Sequence, residues 1–201
     1  MSVWAMTRLT LTLAACALFT GPALASDPDP LPRNEAVAAA QKVIAGLCPG
    51  SEVGPEPKVH EQTRQWPGSD RIERLQLVFL TCSTGAYNIT KAAVIVDDYE
   101  NATLQPFSLP TYDIEYADEE ETKVKSITMT GMTATHFVTN GVYDDEASTL
   151  ATNACWRGLC DASDNATYRW TRDGFVLERF AVDPTYDGQS TPTTIYERDR
   201  P

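Results

Sequence analysis

Apolar positions recur every three to four residues in only one part of the chain. Val37, Ala40, Ile44 and Leu47 form one stripe, the signature of an amphipathic helix, with Asn34 as its N-cap and a run to about Cys48. Pro49-Gly50 supplies the stop. Residues 51–70 are rich in Gly, Pro and charge and read as a surface loop. Beyond them the period changes. Leu75, Leu77 and Phe79 alternate with Gln76, Val78 and Leu80, a strand apolar on both faces toward its end. After a turn at Ser83-Thr84-Gly85, Ala92 to Val96 is a continuous apolar run suited to a buried strand, closed by a turn at Asp97-Asp98. Shorter strands are predicted at 104–109, 111–116, 124–130 and 135–138. Asp118 to Glu121 reads as a solvated loop between two of them.

The clearest hairpin lies near the C-terminus. Tyr168 and Trp170 alternate on one strand, Asp173-Gly174 supplies the turn, and Phe175 and Leu177 resume on the next. Trp170 and Phe175 are then placed to meet across the ladder. Thr193 to Glu197 is the closing strand. The predicted class is α+β, mostly antiparallel β, with one N-terminal helix packed on a sheet or sandwich.

The first 25 residues follow a different logic. Arg8 is the only charge before Asp27, an apolar segment runs from Leu9 to Phe19, Gly21-Pro22 breaks it, and Ala23-Leu24-Ala25 has the small-x-small form of a signal-peptidase site. Met6 would also start a sensible signal. The apolar stretch is far shorter than the roughly 20 residues a spanning helix needs. Residues 1–25 are therefore expected to be a signal peptide, 26–33 an extended leader, and 34–201 one disulfide-braced domain, periplasmic or secreted. Leu13-Ala14-Ala15-Cys16 offers a competing lipoprotein pattern, in which Cys16 carries the anchor. No later segment is apolar for long enough to span a membrane.

Cleavage changes the cysteine count from five to four: Cys48, Cys82, Cys155 and Cys160. An even number in an exported chain points to disulfides. Of the three connectivities that four cysteines allow, Cys48–Cys82 with Cys155–Cys160 is favoured. The second pair closes a short loop and the first pins the helix to a strand, although sequence alone does not select it. The spacing does not supply the tight pairs of a zinc site.

The precursor has 16 basic and 28 acidic residues, a net charge of −12. Loss of Arg8 leaves 15 basic against 28 acidic residues, or −13. Such a charge disfavours nucleic acid and anionic lipid surfaces. It keeps an exported protein soluble and suits a cationic partner or an envelope component.

Catalytic patterns are missing. His60-Glu61 begins an H-E-x-x-H zinc pattern, but Arg64 stands where the second histidine belongs. His136 reads as a packed or edge histidine. There is no G-x-S-x-G elbow and no Gly-rich phosphate loop. Asp161-Ala162-Ser163-Asp164-Asn165 lacks the glycine of a calcium loop and reads as an Asp/Asn turn. No catalytic residue, metal or cofactor is assigned. Trp156 and Arg157, inside the Cys155–Cys160 step, are the types most enriched at binding hot spots. They are candidates for a binding tip, the competing reading being that Trp156 folds onto the sheet and Arg157 pairs with a neighbouring acid.

Two segments carry a family likeness. Thr81-Cys82-Ser83-Thr84-Gly85-Ala86-Tyr87-Asn88-Ile89-Thr90, with the apolar strand that follows, resembles the Cys-x-x-Gly-Ala-Tyr-Asn segment of the bacterial family catalogued as domain of unknown function 1176. Residues 138–188 resemble its C-terminal part, through Val138-Thr139-Asn140, Tyr143-Asp144, Thr149-Leu150, Arg157-Gly158-Leu159-Cys160-Asp161, Tyr168-Arg169-Trp170 and Asp173-Gly174-Phe175-Val176-Leu177. The resemblance implies an exported, cysteine-bearing, β-rich protein and no particular activity. It adds Tyr87 and Asn88 as the best-matched polar positions. The family's Gly-rich run is reduced here to Trp156-Arg157-Gly158-Leu159-Cys160, and Val182 to Tyr186 stand where a further cysteine is expected. The family's disulfide map is therefore not carried over. Three readings of function follow: a non-catalytic envelope binding module, in one version an inhibitor of a cationic hydrolase such as lysozyme; a carboxylate-dependent cell-wall hydrolase with two acids across a cleft; and a purely structural role with no discrete site.

Overall fold

A computed structural model describes residues 31–48 and 56–199. The signal segment, Cys16, most of the leader and the Pro49-Gly50 stop lie outside them.

Helix α1 (Arg33–Ile44) begins one residue before the expected cap. Asn34 does not cap it. Pro32 is extended, and its carbonyl accepts the first-turn N–H groups of Glu35 and Ala36 at 2.9 and 3.1 Å. The buried stripe is Ala36, Ala40 and Ile44, with Val37 only partly covered. At the C-terminus, Leu47 and Cys48 both donate to the Ile44 carbonyl. The helix thus closes at Ile44 and the phase is lost. Leu47 swings out, 49% exposed, while Cys48 turns inward to bond Cys82.

The first sheet has the order β1-β2-β3, with β4 and β7 sharing the far edge of β3. Strand β2 (Ile72–Thr84) and strand β3 (Ile89–Asp97) extend the two apolar runs expected from the sequence. Each buries both faces. Leu75, Leu77, Phe79, Ala93 and Ile95 enter the core between sheets, whereas Val78, Leu80, Cys82, Ala92, Val94 and Val96 meet the helix. The small residues Ala36 and Ala40 let α1 lie close against them. Strands β4 (Ala102–Leu104) and β7 (Phe137–Thr139) pair with Val94–Val96 and with Thr90–Ala92.

Strand β1 (Lys58–Gln65) corrects the loop expected over 51–70. It pairs with β2 along its whole length, from Lys58↔Phe79 to Gln65↔Ile72. Its only aliphatic residue is Val59, so no apolar alternation announces it. Polar side chains are what an edge strand carries to avoid pairing with other chains.

The second sheet runs β12-β11-β10-β9-β8, from β8 (Val142–Asp144) and β9 (Thr149–Cys155) through β10 (Ser163–Thr171) and β11 (Gly174–Asp183) to β12 (Thr193–Glu197). The β10–β11 hairpin and β12 are where the sequence puts them, whereas β8 and β9 have no counterpart among the predicted strands. Trp170 faces Phe175, with ring centroids 5.1 Å apart. A bulge follows: Thr167 pairs with Arg179 and Tyr168 with Leu177, leaving Glu178 over. This extra residue keeps Phe175, Leu177, Phe180 and Val182 all on the core face.

Strands β5 (Phe107–Tyr116) and β6 (Val124–Thr135) form a separate two-stranded ribbon. The break in this region lies at Gln105-Pro106, not between Leu109 and Thr111. Pro110 is tolerated inside β5 because this strand has no second neighbour needing its N–H. The ribbon packs Leu109 and Tyr112 on the core, and the Tyr168 hydroxyl donates to the Ser108 carbonyl at 3.1 Å. His136, between β6 and β7, is exposed, as an edge histidine would be. The result is one helix on an antiparallel β-sandwich, α+β and mostly β. Among the described residues no helix is long and apolar enough to cross a membrane.

Candidate functional site

Gly85 closes the β2–β3 turn by donating to the Asn88 carbonyl at 2.7 Å. A Cβ there would stand 3.3 Å from that oxygen, closer than most side chains tolerate. The turn holds Asn88 against β9. Its Nδ2 donates to the Cys155 carbonyl at 2.8 Å, and its Oδ1 accepts the Cys155 N–H at 3.1 Å. The side-chain amide thus pairs with Cys155 as a neighbouring strand's peptide would.

Asn140 does the same for Ile89. Its backbone N–H donates to the Ile89 carbonyl and its Oδ1 accepts the Ile89 N–H, both at 2.8 Å. Its Nδ2 reaches the carbonyls of Asn153 and Tyr87 and the Asn88 Oδ1 at 2.9 to 3.2 Å. A φ of 49° puts Asn140 in the left-handed region, which asparagine tolerates better than most residues. Two asparagine amides therefore stitch the first sheet to the second.

Next to this stitch lies the loop closed by Cys155–Cys160. Both disulfides are the favoured pairs. Trp156 folds back: its N–H donates to the Ala162 carbonyl, its Nε1 donates to Asp164 at 3.1 Å, and its ring packs on the core. Burial pushes the Asp164 carboxyl up, partly offset by that indole bond. Burial and the Asp164 charge together push the Tyr112 hydroxyl up to about 12, with a further contribution from Tyr116.

Arg157 is also occupied. Its Nε donates to Asp161 at 2.7 Å, a second guanidinium nitrogen bonds the other carboxylate oxygen, and the guanidinium lies 5.0 Å over the Tyr186 ring. Asp161 is buried and also accepts the Gly188 N–H at 2.9 Å. The Arg157 guanidinium holds its carboxyl well below the usual range. The acids of the expected Asp/Asn turn are thus committed to Arg157 and Trp156, and β10 already begins at Ser163.

What the loop offers to solvent is apolar. The Cys160 N–H donates to the Arg157 carbonyl at 3.0 Å, closing a tight turn with Cys160 at a φ of 56°. Leu159 at its tip is 74% exposed. A Cβ on Gly158 would contact the Tyr87 ring at 3.8 Å, so Tyr87, 45% exposed, lies alongside the turn. The four residues singled out from sequence, Tyr87, Asn88, Trp156 and Arg157, meet in one place. Leu159 has no signal of its own in the sequence, and Asn140 stands out there only as part of a matched segment.

The family model of a protein of unknown function, DUF1176, matches residues 50–195. An uncharacterized Escherichia coli K12 protein, YpfG, is 28% identical over 116 residues, covering 58% of this chain and 29% of that protein. The chain thus spans less than a third of this relative's length. No solved structure matches.

Proposed function

We propose that this chain, which belongs to the DUF1176 family of proteins of unknown function, is an exported, non-catalytic binding module that presents the Tyr87–Gly158–Leu159 tip to another envelope protein. The observation that carries the reading is a large apolar side chain, Leu159, held 74% exposed on a loop whose backbone is fixed. A tip closed by a disulfide and backed by Asn88 and Asn140 loses little freedom on association, which is where much of the cost of binding lies. Tyr87 beside it is of a type enriched at hot spots.

Arg157 and Trp156 are on this reading the frame of the site, since their polar groups are bonded internally. The net charge of −12 favours a partner with a basic rim around an apolar pocket. Two disulfides fit an oxidising compartment, and the signal pattern over residues 1–25 favours the periplasm or the medium. A lipid on Cys16 would tether the same module. The carboxyl that burial pushes up, Asp164, sits under Trp156, which supports binding over acid catalysis.

Capture from envelope extract on tagged mature protein tests the proposal, with the double variant Y87S/L159S beside it. A partner retained by the wild type and lost by the variant, at unchanged circular dichroism, supports it. Identical capture by both proteins sinks it.

A further inference from the structure

A second region, independent of the loop, has unspent polar groups. Where β1 pairs with β2, a cleft of about 370 Å³ is lined by Glu61, Gln62, Arg74, Gln76, Asp98 and Asp145 among others, within the size range of small-molecule sites. Asp145 is engaged, bonding His60 Nδ1 at 2.8 Å. Among the described residues, Asp98 accepts only the long 3.4 Å contact from the Arg74 backbone N–H. The side chains of Glu61 and Arg74 have no hydrogen-bond or ion-pair partner among the described residues.

Gln76 supplies an observation of a different kind. Its Nε2 is bonded to the Leu31 carbonyl. Its Oε1 is shielded from solvent and has no donor among the described residues. A shielded acceptor without a donor is uncommon in native proteins, and this one belongs to a residue in the wall of the cleft. Carboxylates outnumber the guanidinium here, so a donor-bearing cation is the complement. Arg74, with its planar fork unpaired, is the complement of a carboxylate.

We infer that this cleft binds a basic amino acid with a free carboxylate, its cationic groups meeting Glu61 and Asp98 and its carboxylate meeting Arg74. The chemistry is shared by free arginine or lysine and by the C-terminal residue of a peptide. L-arginine and Nα-acetyl-L-arginine separate the two sources: equal binding marks the peptide terminus, and preference for the free α-ammonium marks the amino acid.

Titration calorimetry with L-arginine, and with agmatine, which lacks the carboxylate, tests the assignment. Saturable L-arginine binding at or below about 1 mM is expected, tighter than that of agmatine. Arg74→Gln should weaken L-arginine about tenfold and leave agmatine unchanged, whereas Glu61→Gln should weaken both. The double variant E119Q/E120Q, which removes acidic charge elsewhere, should change neither. Absence of saturation, agmatine binding as tightly as L-arginine, or an equal loss in the E119Q/E120Q control would overturn the inference. All these substitutions are at exposed positions, and an unchanged melting curve verifies the fold of each variant.

Discussion

At the loop, Arg157 gives two bonds to Asp161, Asn88 gives both ends of its amide to Cys155, and Asn140 satisfies Ile89 in both directions. At the β1–β2 cleft, Glu61, Arg74 and the Gln76 Oε1 have no such partners among the described residues. The first region spends its polar chemistry on rigidity and shows solvent an apolar tip. The second leaves opposite charges unpaired around a hollow. On the two proposals, the rich set of hydrogen bonds is the scaffold of one site and the unfinished set is the place for a ligand.

The contrast breaks first at Asn140. Asn140→Ala strands the Ile89 N–H and the Asn153 carbonyl and puts alanine at a positive φ. A loss of about 3 kcal/mol is expected in urea unfolding. A loss below about 1 kcal/mol would mean that the stitch is ornamental. Removing the loop disulfide is expected to cost less. With only five residues of separation, chain entropy gives about 2 kcal/mol for C155A/C160A.

Asp164 should show the opposite sign. Burial raises its folded carboxyl pKa, so the folded state binds its proton more readily than the unfolded state. Its ionisation then opposes folding at neutral pH, and the penalty fades as pH falls through the raised pKa toward the unfolded value near 4. Asp164→Asn keeps an acceptor for Trp156 and removes the charge. It is expected to stabilise by about 1 kcal/mol at pH 7 and to make no difference at about pH 3. Asp161 runs the other way: its lowered carboxyl lends stability above the unfolded pKa, lost as pH falls through the folded one. Smallest of all, Glu61→Gln should change unfolding by less than about 0.5 kcal/mol, since its exposed side chain has no partner among the described residues.

Much of this architecture is legible in the chain itself. The apolar runs at 75–80 and 92–96, the Asp173-Gly174 turn and the four cysteines carry strong local signals, and they reappear as β2, β3, the β10–β11 hairpin and two disulfides. Strand β1 is illegible because an edge strand takes polar side chains, and β9 because its apolar positions are alanines and one leucine. The expected N-cap fails because a proline carbonyl serves in place of a side chain. In the loop, the residue types point to one place, and of the two readings of Trp156 and Arg157 the inward one matches their contacts. Their partners, Asp164 and Asp161, lie close along the chain, and the fold selects them from the several acids nearby. Leu159, with no chemistry to attract notice, becomes the exposed group.

That the loop tip, not the cleft, receives the protein partner is tested most directly by the affinity of a captured partner for wild type, Leu159→Ser and Glu61→Gln. Binding at least about tenfold weaker is expected for Leu159→Ser, with no change for Glu61→Gln. Unchanged affinity for Leu159→Ser, or a loss confined to Glu61→Gln, would contradict it.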